Sequence, residues 1–88
     1  MDYSISELAQ LAGISTRALR HYDAIGLLPP AYATDAGYRK YTTDEVDRLQ
    51  EILFYKELGM ELGEIASLIG QAGYDRTEAL QTHLAQLV

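Results

Sequence analysis

Apolar residues recur at intervals of three and four near the start of the chain, which predicts a short amphipathic helix. The stripe consists of Ile5, Leu8, Ala9 and Ala12. A serine hydroxyl can cap such a helix, so the helix begins at Ser4 or at Ser6, and Ser6 is followed directly by helix-favouring residues. Gly13 is the expected end, because glycine accepts a positive φ there without a steric penalty.

A second helix is predicted over residues 16–25, with Ser15 or Thr16 as its cap and Gly26 as its end. Its two faces differ in chemistry. The residues expected to face the core are Ala18, Leu19, Tyr22 and Ile25. Those on the opposite face are Arg17, Arg20 and His21. The first two helices therefore form a predicted helix-turn-helix whose second helix turns a basic face away from the core.

A β-hairpin is predicted over residues 29–41. Pro29-Pro30 imposes an extended backbone without amide donors, and residues 35–37 (Asp-Ala-Gly) carry a turn signal. Residues 38–41 (Tyr-Arg-Lys-Tyr) are rich in tyrosine, as in a short strand. A hairpin in this place would be the wing of a winged helix-turn-helix.

Two more helices are predicted after the wing. A long one begins after Thr42 or Thr43 and ends at Gly59, and a short one covers residues 62–69 and ends at Gly70. The apolar positions expected to face the core are Val46, Leu49, Ile52, Leu53 and Tyr55 on the long helix, and Leu62, Ile65, Ala66 and Ile69 on the short one. The predicted fold class is thus mainly α, with a small β-hairpin.

A last apolar stripe, Leu80, Leu84 and Leu87, follows Thr77 at helical spacing. A helix of this length needs a partner surface to be stable. We interpret residues 73–88 as the start of a dimerisation helix that packs against a second chain, after a winged helix-turn-helix domain over residues 1–72. The alternative is that this helix folds back on its own core.

The charge pattern indicates a nucleic-acid contact surface. The net charge of the 88 residues is -6, but residues 17–40 carry +2, whereas residues 1–16 carry -2 and residues 41–88 carry -6. The basic side chains of the positive segment lie in two clusters that also contain tyrosines. An acidic chain with a local positive strip is expected to bind DNA in one orientation, with modest non-specific affinity.

Composition narrows the other possibilities. There is no cysteine, which excludes disulfides, thiolate metal sites and a cysteine nucleophile. The two histidines, His21 and His83, are not spaced as metal ligands, and no catalytic constellation or phosphate-binding glycine loop is present. We therefore expect a protein that is not an enzyme and needs no cofactor. No segment has the ~18 apolar residues of a membrane span and the N-terminus does not resemble a signal peptide, so a cytoplasmic location is expected.

Several motifs in their order along the chain resemble the DNA-binding domain of MerR-type transcription regulators. They are Ile5 to Ala9, Gly13-Ile14-Ser15, Arg17 to Asp23, Gly26-Leu27-Leu28, Gly37 to Tyr41, Arg48-Leu49-Gln50 and Leu58-Gly59. The resemblance covers almost the whole chain. Residues 48–55 and 75–81 are most similar to the subgroup of thiostrepton-induced and multidrug-transporter activators.

The resemblance implies a homodimer that binds a pseudo-palindromic double-stranded promoter, distorts its spacer and thereby lets RNA polymerase engage the promoter. It also implies that a small-molecule effector acts through a C-terminal domain that is absent from these residues. The DNA-contacting residues it implies are Ser15, Thr16, Arg17, Arg20, His21, Tyr22, Tyr38, Arg39, Lys40 and Lys56. The dimer contacts are assigned to Leu80, Leu84 and Leu87.

The chain also departs from the family pattern. Ala18 stands where many members carry threonine, and Tyr32 stands where arginine is common, so two phosphate contacts are missing and a lower affinity is expected. The sequence leaves open whether it is a piece of a longer regulator or a naturally minimal protein. The alternative function is a winged-helix adaptor that binds protein or sequesters a drug without binding DNA, and whose binding does not depend on Arg20 or Arg39.

Overall fold

The computed structural model describes residues 2–70. Along the chain, the elements are β1 (Tyr3–Ser4), α1 (Ile5–Ala12), α2 (Thr16–Ala24), β2 (Tyr32–Ala33), β3 (Arg39–Tyr41), α3 (Thr43–Glu57) and α4 (Leu62–Ile69). The helix-turn-helix, the wing hairpin and the following helix pair all occur where the sequence predicts them. Within the described residues, no helix combines the length and the apolar character needed to span a membrane.

The first helix begins after Ser4, not after Ser6. The Ser4 hydroxyl accepts a hydrogen bond from the Glu7 N–H at 3.1 Å, and the Glu7 carboxylate accepts one from the Ser4 N–H at 2.9 Å. These reciprocal bonds form a capping box, which satisfies two backbone donors at the start of the helix. The pKa of the Glu7 carboxyl is lowered, chiefly by the hydrogen bond from the Ser4 backbone N–H and then by a hydrogen bond with the Ser4 side chain.

We expect Ser4→Ala to lower the free energy of unfolding by about 1 kcal/mol, because a helix N–H loses its acceptor. Ser6→Ala is the matched control, since Ser6 is exposed inside the first turn of α1 and should change stability by no more than about 0.5 kcal/mol. Urea unfolding followed by circular dichroism measures both. Equal losses for the two variants would contradict the assignment of the cap.

A three-stranded antiparallel sheet joins the wing to the start of the chain. β3 lies in the centre, with Tyr41 opposite Tyr3 of β1 and with Lys40 opposite Tyr32 of β2. The sequence did not predict β1, because a strand of two residues directly before a helix has no visible alternation. The extra strand attaches the wing to α1, so the wing is not a free hairpin.

Among the described residues, the core is formed by the helices α1 to α4, by β3, and by the segment between α2 and β2. The side chains that are fully buried are Leu8, Leu19, Leu27, Leu28, Tyr41, Leu49, Ile52, Tyr55 and Ile65. The predicted burial of Ile25 is wrong, since 42% of this residue is exposed. Helix α2 ends at Ala24, and Ile25 is its C-cap, so the helical spacing that would have turned its side chain inward no longer applies.

Tyr41 is fully buried, yet its hydroxyl oxygen has no hydrogen-bond partner among the described residues. Burial raises the pKa of this phenol. Because an unpaired buried hydroxyl is unfavourable, Tyr41→Phe is expected to leave the free energy of unfolding unchanged or to raise it by up to about 1 kcal/mol. Thermal and urea unfolding test this; a loss of more than about 1 kcal/mol would reveal a hidden partner for the hydroxyl.

Candidate nucleic-acid interface

The turn between α1 and α2 determines the direction in which α2 leaves α1. Gly13 has φ 72°, in the left-handed region, and the Ile14 N–H donates to the Ala9 carbonyl at 3.0 Å. This glycine-ended turn closes α1 and allows Ile14 to pack against the core. Helix α2 then starts after Ser15 and packs on α1.

The outer face of α2 is basic. Arg17, Arg20 and His21 are exposed, whereas Leu19 and Tyr22 on the other face are buried, with 0% and 3% exposure. The prediction that helical spacing separates a basic face from a core face is confirmed. An α-helix fits the width of a major groove, and a basic face on it would meet the acceptors of the bases and phosphates there.

The N-terminus of α2 is a second polar feature of this surface. The Ser15 hydroxyl accepts a hydrogen bond from the Ala18 N–H at 3.0 Å, which identifies Ser15 as the cap. Its own proton is not used in that bond and can be donated to an anion. The helix dipole also favours negative charge here, so Ser15 and the adjacent Thr16 remain predicted phosphate ligands.

Lys56 of α3 lies beside α2. Its ammonium nitrogen is 3.5 Å from the Tyr22 hydroxyl, the limit of a hydrogen bond, and Lys56 is exposed. The Tyr22 ring is in the core while its hydroxyl reaches Lys56, so the tyrosine combines a packing role with a polar tip. The structure thus brings together two predicted phosphate ligands that are 34 positions apart in sequence.

The wing tip is a tight turn organised by Thr34. The Thr34 N–H donates to the Tyr38 carbonyl and its carbonyl accepts from the Gly37 N–H, both at 2.8 Å. Its side chain accepts from the Tyr38 N–H at 3.1 Å, and Gly37 has φ 87°, which requires glycine. Tyr38 follows directly and is 70% exposed, so its ring is presented to solvent at the end of the wing.

The base of the wing is held by two polar contacts to other parts of the fold. The Arg39 Nε–H donates to Asp23 of α2 at 2.9 Å, and the Tyr32 hydroxyl donates to Asp2. The bond to Asp2 raises the pKa of Tyr32. Lys40 is half-buried and lies on the opposite face of β3 from Arg39, as alternation in a strand requires.

The predicted DNA-contacting residues therefore fall into three groups: the outer face and N-terminus of α2, the end of α3, and the wing. The residues predicted for the dimer contact, Leu80, Leu84 and Leu87, lie outside the described residues. Sequence reasoning did not single out Asp23. Two signals were available: Asp23 ends the motif Arg17 to Asp23, and it is one of two carboxylates in the otherwise basic segment 17–40.

Known proteins are similar to this chain in sequence. A family model described as the MerR HTH family regulatory protein matches residues 3–72. The HTH-type transcriptional activator mta of Bacillus subtilis (strain 168) is 46% identical over 82 residues, which are 93% of this chain and 32% of that protein. The HTH-type transcriptional activator TipA of Streptomyces coelicolor is 48% identical over 75 residues, 85% of this chain and 30% of that protein. The chain spans about a third of the length of these curated relatives.

Two solved structures share the fold. MtaN, the N-terminus of the Bacillus subtilis multidrug transporter activator, superposes with a TM-score of 0.82 at 45% identity, covering 97% of this chain and 80% of that one. HiNmlR, a MerR family regulator that lacks the sensor domain and was solved bound to promoter DNA, has a TM-score of 0.80 at 28% identity, covering 99% and 74%. These neighbours confirm the winged helix-turn-helix and the predicted subgroup, and the chain belongs to the MerR family of helix-turn-helix regulatory proteins.

Proposed function

We propose that this chain is the DNA-binding part of a transcription regulator that recognises double-stranded promoter DNA. The observation that carries the proposal is the exposed basic face of α2, which Arg17, Arg20 and His21 form on a helix whose other face is buried. The helix enters the major groove, and the wing with Tyr38 at its tip lies on the neighbouring backbone. The protein acts by binding and not by catalysis, in the cytoplasm.

The acidic remainder of the chain favours this arrangement over general charge attraction. Residues 41–88 carry a net charge of -6, whereas the exposed Arg17 and Arg20 lie on α2 and the exposed Lys56 lies beside it, so this part of the described surface attracts phosphate. A pseudo-palindromic site is expected because a homodimer would present two copies of α2, separated by about 34 Å, one turn of DNA. The dimer is proposed to form through the segment with Leu80, Leu84 and Leu87.

Activation is the proposed outcome of binding, since the relatives mta and TipA are named as transcriptional activators. The proposed mechanism is deformation of the promoter spacer, which contributes its own sequence-dependent energy to recognition and places the promoter elements for RNA polymerase. In this proposal a small-molecule effector acts through a C-terminal domain outside these 88 residues.

The proposal is tested by fluorescence anisotropy with a labelled duplex from the region upstream of the gene, and with a scrambled duplex of the same composition. We expect tighter binding of the upstream duplex. We also expect the logarithm of the association constant to fall with the logarithm of salt concentration, by about 0.9 for each phosphate contact. A winged-helix adaptor would bind neither duplex even at low salt, and that result would refute the proposal.

A further inference from the structure

One ion pair connects the two basic parts of the interface. The Arg39 Nε and an Asp23 carboxylate oxygen are 2.9 Å apart, and their side chains are 34% and 28% exposed. Asp23 lies in the last turn of α2, and Arg39 is the first residue of β3. The contact therefore links the helix proposed for the major groove with the wing proposed for the backbone.

We propose that Asp23 is a positioning residue for DNA binding: by holding Arg39, it sets the wing in register with α2. This inference rests on the proposed function. It concerns a carboxylate, which by its charge alone opposes DNA binding, and it therefore predicts the reverse of what simple electrostatics predicts.

The packing of the fold explains why such a link is needed. Helix α2 packs mainly on α1, whereas β3 packs on β1, β2, α1 and α3. The helix and the wing are thus each attached to α1, and they share little direct packing. Because the two are placed through a third element, a small change at either attachment alters the distance between them. The bond between Asp23 and Arg39 spans this gap directly.

The chemistry of the pair suits positioning. Arginine has five N–H donors, and Asp23 engages the one on Nε, so the four on the terminal nitrogens are left for other acceptors such as phosphate oxygens. Tyr41, two residues along the same face of β3, is fully buried, which holds that end of the strand. Asp23 then determines the direction of the guanidinium group, while the core determines the position of the strand.

The test uses the full chain and the upstream and scrambled duplexes, at a temperature where circular dichroism shows every variant folded. The key variant is Asp23→Asn, and its matched control is Asp35→Asn, which removes the same charge from the exposed wing turn of the same basic segment. We expect Asp23→Asn to weaken binding of the upstream duplex about tenfold, the scale of a lost coupling between contacting residues. Asp35→Asn should bind as tightly as the parent chain or more tightly.

A third variant, Arg39→Gln, and its combination with Asp23→Asn show whether Asp23 acts through Arg39. If Asp23 acts through Arg39, the double variant binds no more weakly than Arg39→Gln alone. In the double variant, Asp23→Asn removes a carboxylate that has already lost its arginine partner. The salt slope of Asp23→Asn should change in the same direction as that of Arg39→Gln, since both variants weaken the phosphate contact proposed for the Arg39 guanidinium. A role limited to stability would leave the affinity of the folded variant unchanged.

The outcomes are distinct. If the parent chain binds neither duplex, the proposed function fails. If the parent chain binds and Asp23→Asn binds equally well or better, the function stands and the positioning role is overturned. It is also overturned if the effects of Asp23→Asn and Arg39→Gln simply add.

Discussion

Replacing Arg17 and Arg20 together by alanine is expected to weaken binding of the upstream duplex by at least about three orders of magnitude. A well-formed contact from arginine to a base edge contributes about 1–3 kcal/mol of discrimination, and a phosphate contact adds affinity on top of this. The proposed homodimer presents each side chain twice, so two substitutions remove four contacts from the proposed complex. Both residues are exposed, so the fold itself should survive unchanged.

The same experiment distinguishes base contacts from phosphate contacts. If one of the two arginines binds phosphate, its loss reduces the salt slope by about 0.9 for each subunit and weakens the upstream and scrambled duplexes alike. If that arginine binds a base edge instead, its loss leaves the salt slope unchanged and weakens binding of the upstream duplex only. The single variants Arg17→Ala and Arg20→Ala therefore assign each side chain by anisotropy titration at several salt concentrations.

Gln50→Glu is the control for charge alone, because it also lowers the net charge by one, at an exposed position of α3 outside the basic segment 17–40. We expect it to change the affinity much less than either α2 variant does. If Gln50→Glu weakened binding as strongly as Arg20→Ala, net charge would account for the affinity, and recognition by α2 would be contradicted.

Helical spacing explains why much of this interface could be predicted from the sequence. The core side of α2 and its basic side follow from the order of Leu19, Arg20 and Tyr22, because successive residues in a helix are turned by a constant angle. The same rule failed at Ile25, where the helix has already ended. Periodicity predicts which residues lie on each face of a helix, but it does not predict the residue at which the helix ends.

Contacts between distant residues left no comparable signal. Asp23 and Arg39 are 16 positions apart and Asp2 and Tyr32 are 30 apart, and nothing in their local sequence marks them as partners. Strand β1 was not predicted for a related reason, because only its pairing with β3 identifies it as a strand. The parts of the interface were therefore predictable, whereas the bonds that set the distance between them required the structure.

Leu19→Ala is expected to lower the free energy of unfolding by about 3–5 kcal/mol, because it opens a cavity at a site with 0% exposure. A domain of this size has a total stability of only about 4–13 kcal/mol, so the variant should be close to unfolding. Leu11→Ala removes the same atoms from a residue that is 61% exposed, and it should cost no more than about 0.5 kcal/mol. Urea unfolding of the two variants makes the comparison.

The position of Leu19 on the recognition helix gives this loss a second, functional consequence. Its substitution leaves the outward side chains of α2 in place, so the folded fraction should still bind DNA. A ligand that binds only the folded state stabilises it by about 2.7 kcal/mol at a free concentration one hundred times its Kd. The upstream duplex should therefore raise the melting temperature of Leu19→Ala, while the scrambled duplex should raise it less. If Leu19→Ala were as stable as the parent chain, α2 would not be packed through this residue, and if neither duplex protected it, the folded state of this variant would not bind DNA.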